Sequence, residues 1–242
     1  RYMLSSQYLH DLVRDGKIGE PIFSKVWGCH VIPPVWAPHY HLATSGGGVL
    51  ASTLVHALDL AMWVSSSPNP FTVSAATNRL FPGKRGAKVA PEIHALYDAE
   101  DLIGGFVRFD NGTFFTLEGN WCSEGKDWHS FELTTTRGTL AGAPFSIKVD
   151  IAGEIVDQTP SLADDDWSKS IHIQDTALIN KIRADNSLPE ATHSVSKVDE
   201  SQSNIALTGS SGEAQDARQL LNLQKVIDAC YESARSGREV WL

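Results

Sequence analysis

Residues 45–64, S-G-G-G-V-L-A-S-T-L-V-H-A-L-D-L-A-M-W-V, decide the fold of this 242-residue chain. Read as a helix, the stretch is apolar on nearly every side, which predicts a buried core helix. One stripe is the exception, because Ser52, His56, Asp59 and Trp63 recur at i, i+4, i+7 and i+11. At about 100° per residue, these side chains share about 60° of arc. The stripe indicates either a functional site or a core histidine satisfied by its neighbours.

The composition limits the class of protein. With 42% hydrophobic and 20% charged residues, the chain has the make-up of a soluble globular domain. A net charge of −9 without a Lys/Arg run argues against a nucleic-acid partner. No membrane span is predicted, since the most apolar stretch carries His56 and Asp59 in its middle. The three cysteines are scattered and no signal-peptide pattern is visible, so we expect a cytoplasmic location.

The N-terminal half predicts alternating helices and strands. Residues 2–15 have helical spacing, and residues 22–32 favour a strand. Three prolines then force an irregular loop over residues 35–44. Residues 71–80 favour another strand, and the basic loop 82–91 that follows lacks the residue order of a phosphate-binding loop.

The clearest β signal is a hairpin of residues 102–109 and 113–121, because its turn carries Asn111-Gly112 where positive φ is required. Short strands separated by Gly or Pro turns follow at residues 129–136, 138–141, 145–151 and 154–158. Connections of hairpin length predict an antiparallel meander. We therefore predict an α+β fold, an open, predominantly antiparallel sheet with helices packed on one face. The free face would be an oligomer surface.

The C-terminal part predicts two helices and a last strand. Residues 168–184 have helical spacing, whereas residues 185–212 are polar and predict a surface loop. Ser210 and Glu213 can form a capping box for a final helix that Gly237 ends. A short strand at 239–242 completes the chain.

Three short motifs bear on ligand binding. His39 and His41 form a His-x-His pair without a third ligand at recognisable spacing, so no metal site is predicted. No G-x-G-x-x-G lies between a strand and a helix, so the dinucleotide-binding fingerprint is missing. The triplet Gly46-Gly47-Gly48 would permit a close backbone approach or an anion at the helix N-terminus.

Five stretches follow one another in a specific order. They are the opening Arg1-Tyr2 and its helix, D-G-K-I-G-E-P, G-G-G-x-L-x-S-x-x-x-H-A-L-D-L-A-x-W, E-D-L-I-G-G-F-V-R-F-D-N-G-T and the closing V-I-D-A-C-Y-E-S-A-R-S-G-R-E-V-W-L. Together they resemble the C-terminal domain of the Gfo/Idh/MocA oxidoreductases, the glucose-fructose oxidoreductase and inositol dehydrogenase family, over essentially the whole chain.

The resemblance implies a two-domain enzyme. In this family an N-terminal Rossmann domain binds NAD or NADP and supplies a catalytic lysine. Residues 1–242 would then be one substrate-binding and oligomerisation domain, the C-terminal part of a longer protein, and this agrees with a chain that opens on Arg1. The family also implies a sugar, inositol or related polyhydroxy substrate and a homodimer or homotetramer through the open sheet.

The resemblance also assigns site residues. His56 matches the catalytic acid/base, and an imidazole suits proton transfer near neutral pH. The family often has Asp four residues earlier, where this chain has Ser52, which can hydrogen-bond the imidazole or substrate but holds no charge. Asp59 matches a family aspartate at the substrate site, with an orienting or structural role. His30, on the strand before the loop, and Arg1 match positions that reach substrate.

Three functions stay open at this level. The first is an NAD(P)-dependent oxidoreductase with His56 as acid/base. The second, motivated by Ser52, is a non-catalytic carbohydrate-binding or oligomerisation module. The third is a family member that uses NAD transiently to cleave glycosidic bonds. Four aromatic side chains would suit a carbohydrate face: Trp36, Trp63, Trp121 and Trp128. Aromatic residues also serve in cores. Trp36 is the one assigned to substrate.

Overall fold

A single large sheet positions the other elements. The computed structural model describes residues 1–81, 83, 90–125, 128–162, 167–186 and 217–242. Its strands are β1 (Pro21–Cys29), β2 (Pro70–Asn78), β3 (Leu102–Phe109), β4 (Phe114–Asn120), β5 (Trp128–Thr135), β6 (Gly138–Ala141), β7 (Ser146–Ile151), β8 (Glu154–Asp157) and β9 (Val240–Trp241). Its helices are α1 (Leu4–Arg14), α2 (Leu42–Ser45), α3 (Val55–Val64), α4 (Pro91–His94), α5 (Trp167–Asn186) and α6 (Ala217–Ser236).

The strands lie in the order β8-β7-β6-β5-β1-β4-β3-β2-β9. Every pairing is antiparallel except that of β1 with β4. The predicted α+β fold with an open, predominantly antiparallel sheet is confirmed. The predicted meander is wrong at one point, because β1 lies between β4 and β5. The sequence between β4 and β5 is longer than a tight hairpin turn, so these two strands need not be neighbours.

The helical segment packs directly on the central strand β1. A Cβ atom at Gly28 would lie 2.6 Å from the Cα of Leu54, so only glycine permits this approach. α3 contacts both β1 and β5, α1 packs on α3, and α6 packs on β2. The core between these layers contains fully buried Val26, Phe131 and Leu133. This packing fixes the position of α3 over the middle of the sheet.

The helix predicted over residues 45–64 is interrupted near its start. α2 ends at Gly46, which has φ 72°, a left-handed conformation typical of a helix C-terminus. A π-helical turn (Leu50–Leu54) then leads into α3. The predicted burial is confirmed, since six of the ten α3 residues are buried: Ala57, Leu58, Ala61, Met62, Trp63 and Val64.

Leu42–Val64 is also long and apolar enough, by length and composition only, to cross a membrane. However, 67% of its most apolar window is buried inside the domain. That burial is the behaviour of a core helix in a globular domain.

Other boundaries differ slightly from the predictions. β1 ends at Cys29, so His30 follows the strand instead of lying on it, although His30 N still donates to Asn120 O at 2.8 Å. The first two residues of the predicted loop 185–212 belong to α5. The rest of that loop, the Ser210–Glu213 capping box and most of the basic loop 82–91 lie outside the described residues.

Candidate active site

His56 is the second residue of α3, directly after the π-helical turn. Its side chain is exposed to solvent, while the protein around it removes part of its hydration. This desolvation lowers the pKa of His56, and the negative charge of Asp59 and the backbone carbonyl of Ser52 oppose the shift only in part. His56 is therefore a neutral imidazole at pH 7, able to accept a proton.

A second histidine lies beside it. The ring of His129, on β5, is 5.5 Å from the ring of His56, measured between centroids. Desolvation, followed by the charges of His56 and His30, lowers the pKa of His129 to about 4. His30 is thus close enough to act on His129 electrostatically. The structure brings these three imidazoles together at the ends of β1, β5 and the helical turn.

Two of the histidines have tryptophan neighbours. Trp36 lies edge-on to His30 with ring centroids 6.5 Å apart, and its side chain is 77% exposed. Trp128 stacks on His129 at 4.8 Å and is 57% exposed. The remaining candidate tryptophans belong to the core: Trp63 stacks on His10, and Trp121 is fully buried.

Ser52 does not contact the imidazole through its hydroxyl. Its Oγ donates a hydrogen bond to the carbonyl of Gly48, one turn earlier, at 2.9 Å. It is the backbone carbonyl of Ser52 that interacts with His56. The physical reason is that a serine inside a helical turn readily satisfies its hydroxyl on the i−4 carbonyl.

Asp59 and Arg1 form an ion pair with each other. Arg1 Nε donates to Asp59 Oδ2 at 2.9 Å, and Arg1 Nη2 donates to Asp59 Oδ1. Arg1 also donates to Gln219 of α6 and lies 5.7 Å above the ring of Trp63. The Arg1 side chain is only 9% exposed. Asp59 therefore anchors this arginine and acts on His56 through its charge.

The helix N-terminus already holds an anion from the protein itself. Glu100 accepts hydrogen bonds from the backbone N–H of Gly48 at 2.8 Å and of Leu50 at 3.1 Å. Tyr231 of α6 donates to the same carboxylate at 3.0 Å. The carboxylate of Glu100 thus occupies the position at the glycine triplet that the sequence offers to an anion.

Sequence reasoning did not assign His129 or Glu100 to this region, and it named Trp128 only among the aromatic residues that would suit a carbohydrate face. The alternation of β5 places His129 on the helix-bearing face with buried Phe131 and Leu133. The missing information was the register, which pairs Gly28 of β1 with His129. Among the described residues, no group of three or more His, Cys, Asp or Glu side chains is arranged to hold a metal ion.

The comparisons with known proteins agree with this architecture. The family model for the GFO/IDH/MocA C-terminal domain matches residues 6–141. D-glucoside 3-dehydrogenase of Escherichia coli (strain K12) is 26% identical over 251 aligned residues, which cover 100% of this chain and 62% of that protein. 1,5-Anhydro-D-fructose reductase of Ensifer adhaerens is 26% identical over 135 residues, 55% of this chain and 36% of that protein.

Solved structures show the same fold. Levoglucosan dehydrogenase in complex with NADH and L-sorbose superimposes with a TM-score of 0.70 and 15% identity, covering 99% of this chain and 62% of that one. Aldose-aldose oxidoreductase from Caulobacter crescentus, complexed with glycerol, superimposes with a TM-score of 0.64 and 17% identity, covering 99% of this chain and 62% of that one. The chain spans at most 62% of the length of these four relatives. It belongs to the Gfo/Idh/MocA oxidoreductase family, whose C-terminal domain it resembles in sequence and in fold.

Proposed function

We propose that this chain is the substrate-binding and catalytic half of an NAD(P)-dependent oxidoreductase that acts on a sugar, inositol or related polyhydroxy compound. The observation that carries the proposal is His56, a solvent-facing imidazole on a buried helix with a lowered pKa. A neutral imidazole accepts the proton of a substrate hydroxyl as that hydroxyl becomes a carbonyl. The names of the relatives support the substrate class.

The charges around His56 suit this reaction. As the imidazole takes the hydroxyl proton it becomes positive, and the nearby carboxylate of Asp59 stabilises that charge. A bidentate pair with Arg1 holds the Asp59 carboxylate in place. The described residues contain no phosphate-binding βαβ unit, so the nucleotide would be held mainly by a preceding domain. NAD(P)⁺, when bound, supplies the acceptor for the hydride that leaves the substrate carbon.

Nucleotide binding tests whether a preceding domain, and not residues 1–242, holds the nucleotide. We expect NADH or NADPH fluorescence to titrate with the full-length protein and not with residues 1–242 alone. The preferred nucleotide then narrows the choice of substrate. Absence of binding by the full-length protein would overturn the oxidoreductase proposal.

His56→Ala in the full-length protein tests the catalytic role. We expect turnover to fall by at least about 100-fold, the usual contribution of a general acid/base, with nucleotide binding unchanged. His172→Ala on the exposed face of α5 is the matched control and should keep wild-type turnover. Near-normal turnover of His56→Ala would exclude this role.

Ser52 supports a second candidate, a non-catalytic carbohydrate-binding domain. Its hydroxyl donates to the Gly48 carbonyl, and because serine is uncharged, no carboxylate stands four residues before His56. Ser52→Asp separates the two functions, because restored charge would create activity in a degenerate site and impair a site adapted to serine. The substitution also removes an interaction within the π-helical turn, so the thermal stability of the variant is measured alongside.

We further propose that the free face of the sheet forms a homodimer or homotetramer interface. An aromatic cluster lies on it, with Phe114 4.9 Å from Phe23 and 5.4 Å from Phe106, between ring centroids. Arg108 covers the Phe106 ring at 4.8 Å. Phe106→Glu should shift the mass measured by light scattering toward the monomer. An unchanged mass would place the interface elsewhere.

A further inference from the structure

A second histidine–tryptophan pair adjoins His56. Register places His129 opposite Gly28, a position without a side chain, and the π-helical turn packs on the sheet there. The ring of His129 consequently faces the ring of His56 at 5.5 Å, and Trp128 stacks on it at 4.8 Å with the planes only 16° apart. The pair extends the surface around His56 along β5.

The packing of this pair is not that of a core. Trp128 is 57% exposed, although its ring could bury a large apolar area in an interior. The His129 ring is half-buried, and its surroundings act on it through desolvation and through the charges of His56 and His30. Among the described residues, the His129 nitrogens are not buried unpartnered atoms, so they remain open to water or to a ligand. The arrangement therefore favours a binding role over a structural one.

We propose that His129 binds the substrate directly, donating or accepting a hydrogen bond with a hydroxyl next to the one that His56 deprotonates, while Trp128 holds the His129 ring in place. This inference rests on the proposed function. It adds a substrate-binding residue that the family resemblance does not supply.

The chemistry of a polyhydroxy ring fits this pair. A neutral imidazole offers one donor and one acceptor nitrogen, and a sugar hydroxyl offers both complements. The lowered pKa of His129 keeps it neutral beside His56, so two positive charges do not meet when His56 takes a proton. The stacked Trp128 ring restricts rotation of the imidazole, which reduces the entropy lost on binding.

Steady-state kinetics of the full-length protein tests the inference. Methyl D-glucoside, levoglucosan, L-sorbose and myo-inositol serve as probes, and the best of them is used for the variants. His129→Phe keeps the stack on Trp128 and removes both nitrogens. We expect KM to rise about tenfold, the value of one hydrogen bond, with kcat changed little. His129→Gln, which retains a donor and an acceptor, should recover part of this loss.

Two controls distinguish a specific contact between His129 and a substrate hydroxyl from a general disturbance of the site. His172→Phe makes the same substitution at an exposed site on α5 and should leave KM unchanged. Monodeoxy analogues of the probe should include one for which wild type and His129→Phe have equal KM, because the hydroxyl that His129 binds is absent. A rise in KM of equal size for every analogue would contradict a specific contact.

The result distinguishes this inference from the function on which it rests. If His56→Ala keeps its turnover, the acid/base assignment falls and the role of His129 falls with it. If His56→Ala loses turnover while His129→Phe leaves KM within about twofold for the probe and all its analogues, only the His129 inference is overturned.

Discussion

Trp121 Nε1 donates a hydrogen bond to Thr53 Oγ1 at 2.9 Å, and both side chains are buried. Trp121 directly follows β4, and Thr53 belongs to the π-helical turn three residues before His56. One side-chain contact thus ties the turn that presents His56 to the end of a central strand. The position of the imidazole depends on the core as well as on helix geometry.

Thr53→Val tests how much this hydrogen bond contributes to stability. Valine has nearly the same shape as threonine but leaves the buried indole N–H without a partner, which costs about 1–3 kcal/mol. We expect the free energy of unfolding in urea to fall by that amount. Thr139→Val on β6 is the control, and its change should stay within about 0.5 kcal/mol. Equal losses for the two variants would show that the indole contact contributes nothing specific.

Glu100 gives a second prediction, because one carboxylate serves two backbone N–H groups and the Tyr231 hydroxyl. Burial and the charge of Glu100 raise the pKa of Tyr231 well above its ordinary value. In Glu100→Gln we expect the pKa of Tyr231 to fall, as measured by ultraviolet absorbance. The loss of a negative charge at a helix N-terminus should also cost about 1 kcal/mol of stability.

Glu154→Gln, on the exposed strand β8, provides the matched control for Glu100→Gln. It changes the same functional group far from any helix N-terminus, so neither stability nor the Tyr231 titration should move. An unshifted Tyr231 pKa in Glu100→Gln would show that burial alone sets that value.

The sequence predicted the sheet well because its signals are local. The hairpin of β3 and β4 follows from the Asn111-Gly112 turn, and Gly112 indeed has φ 87°. The strand order was harder to predict. Insertion of β1 between β4 and β5 depends on a long-range pairing, Val26 with both Leu117 and Phe131, that no local pattern records.

The site was only partly predicted, because its geometry also depends on long-range pairing. His56 stands out in the sequence because it interrupts an apolar helix. His129 does not, since a half-buried polar residue on a strand is common, and its closeness to His56 follows only from the register with Gly28. The π-helical turn also escaped prediction. It alters the spacing between Ser52 and His56, whereas His56, Asp59 and the buried Trp63 all belong to the regular helix α3.

Asp59→Asn tests the electrostatic role of Asp59. The carboxylate raises the pKa of His56 against the effect of desolvation, so its neutralisation should lower that pKa further. Titration of the His56 ring protons by NMR measures the shift. Asp98→Asn, a change in an exposed carboxylate bound to His41 and Leu42, is the control and should leave His56 unaffected. A rise in the pKa of His56 would refute this account.

The paired histidines predict how stability depends on pH. Folding lowers the pKa of His129 from 6.5 to about 4 and also lowers that of His56. Between those values the unfolded chain binds more protons than the folded one, so the free energy of unfolding decreases as pH falls from 6.5 toward 4. Well above pH 6.5 these imidazoles are neutral in both states and contribute no slope.

His129→Phe should therefore flatten this part of the stability curve, because one of the two depressed titrations is removed. Urea unfolding at a series of pH values measures this effect, and His172→Phe should keep the wild-type slope because that residue is exposed. If His129→Phe and wild type show the same slope between pH 4 and 6.5, the His129 imidazole is already solvated as in the unfolded chain.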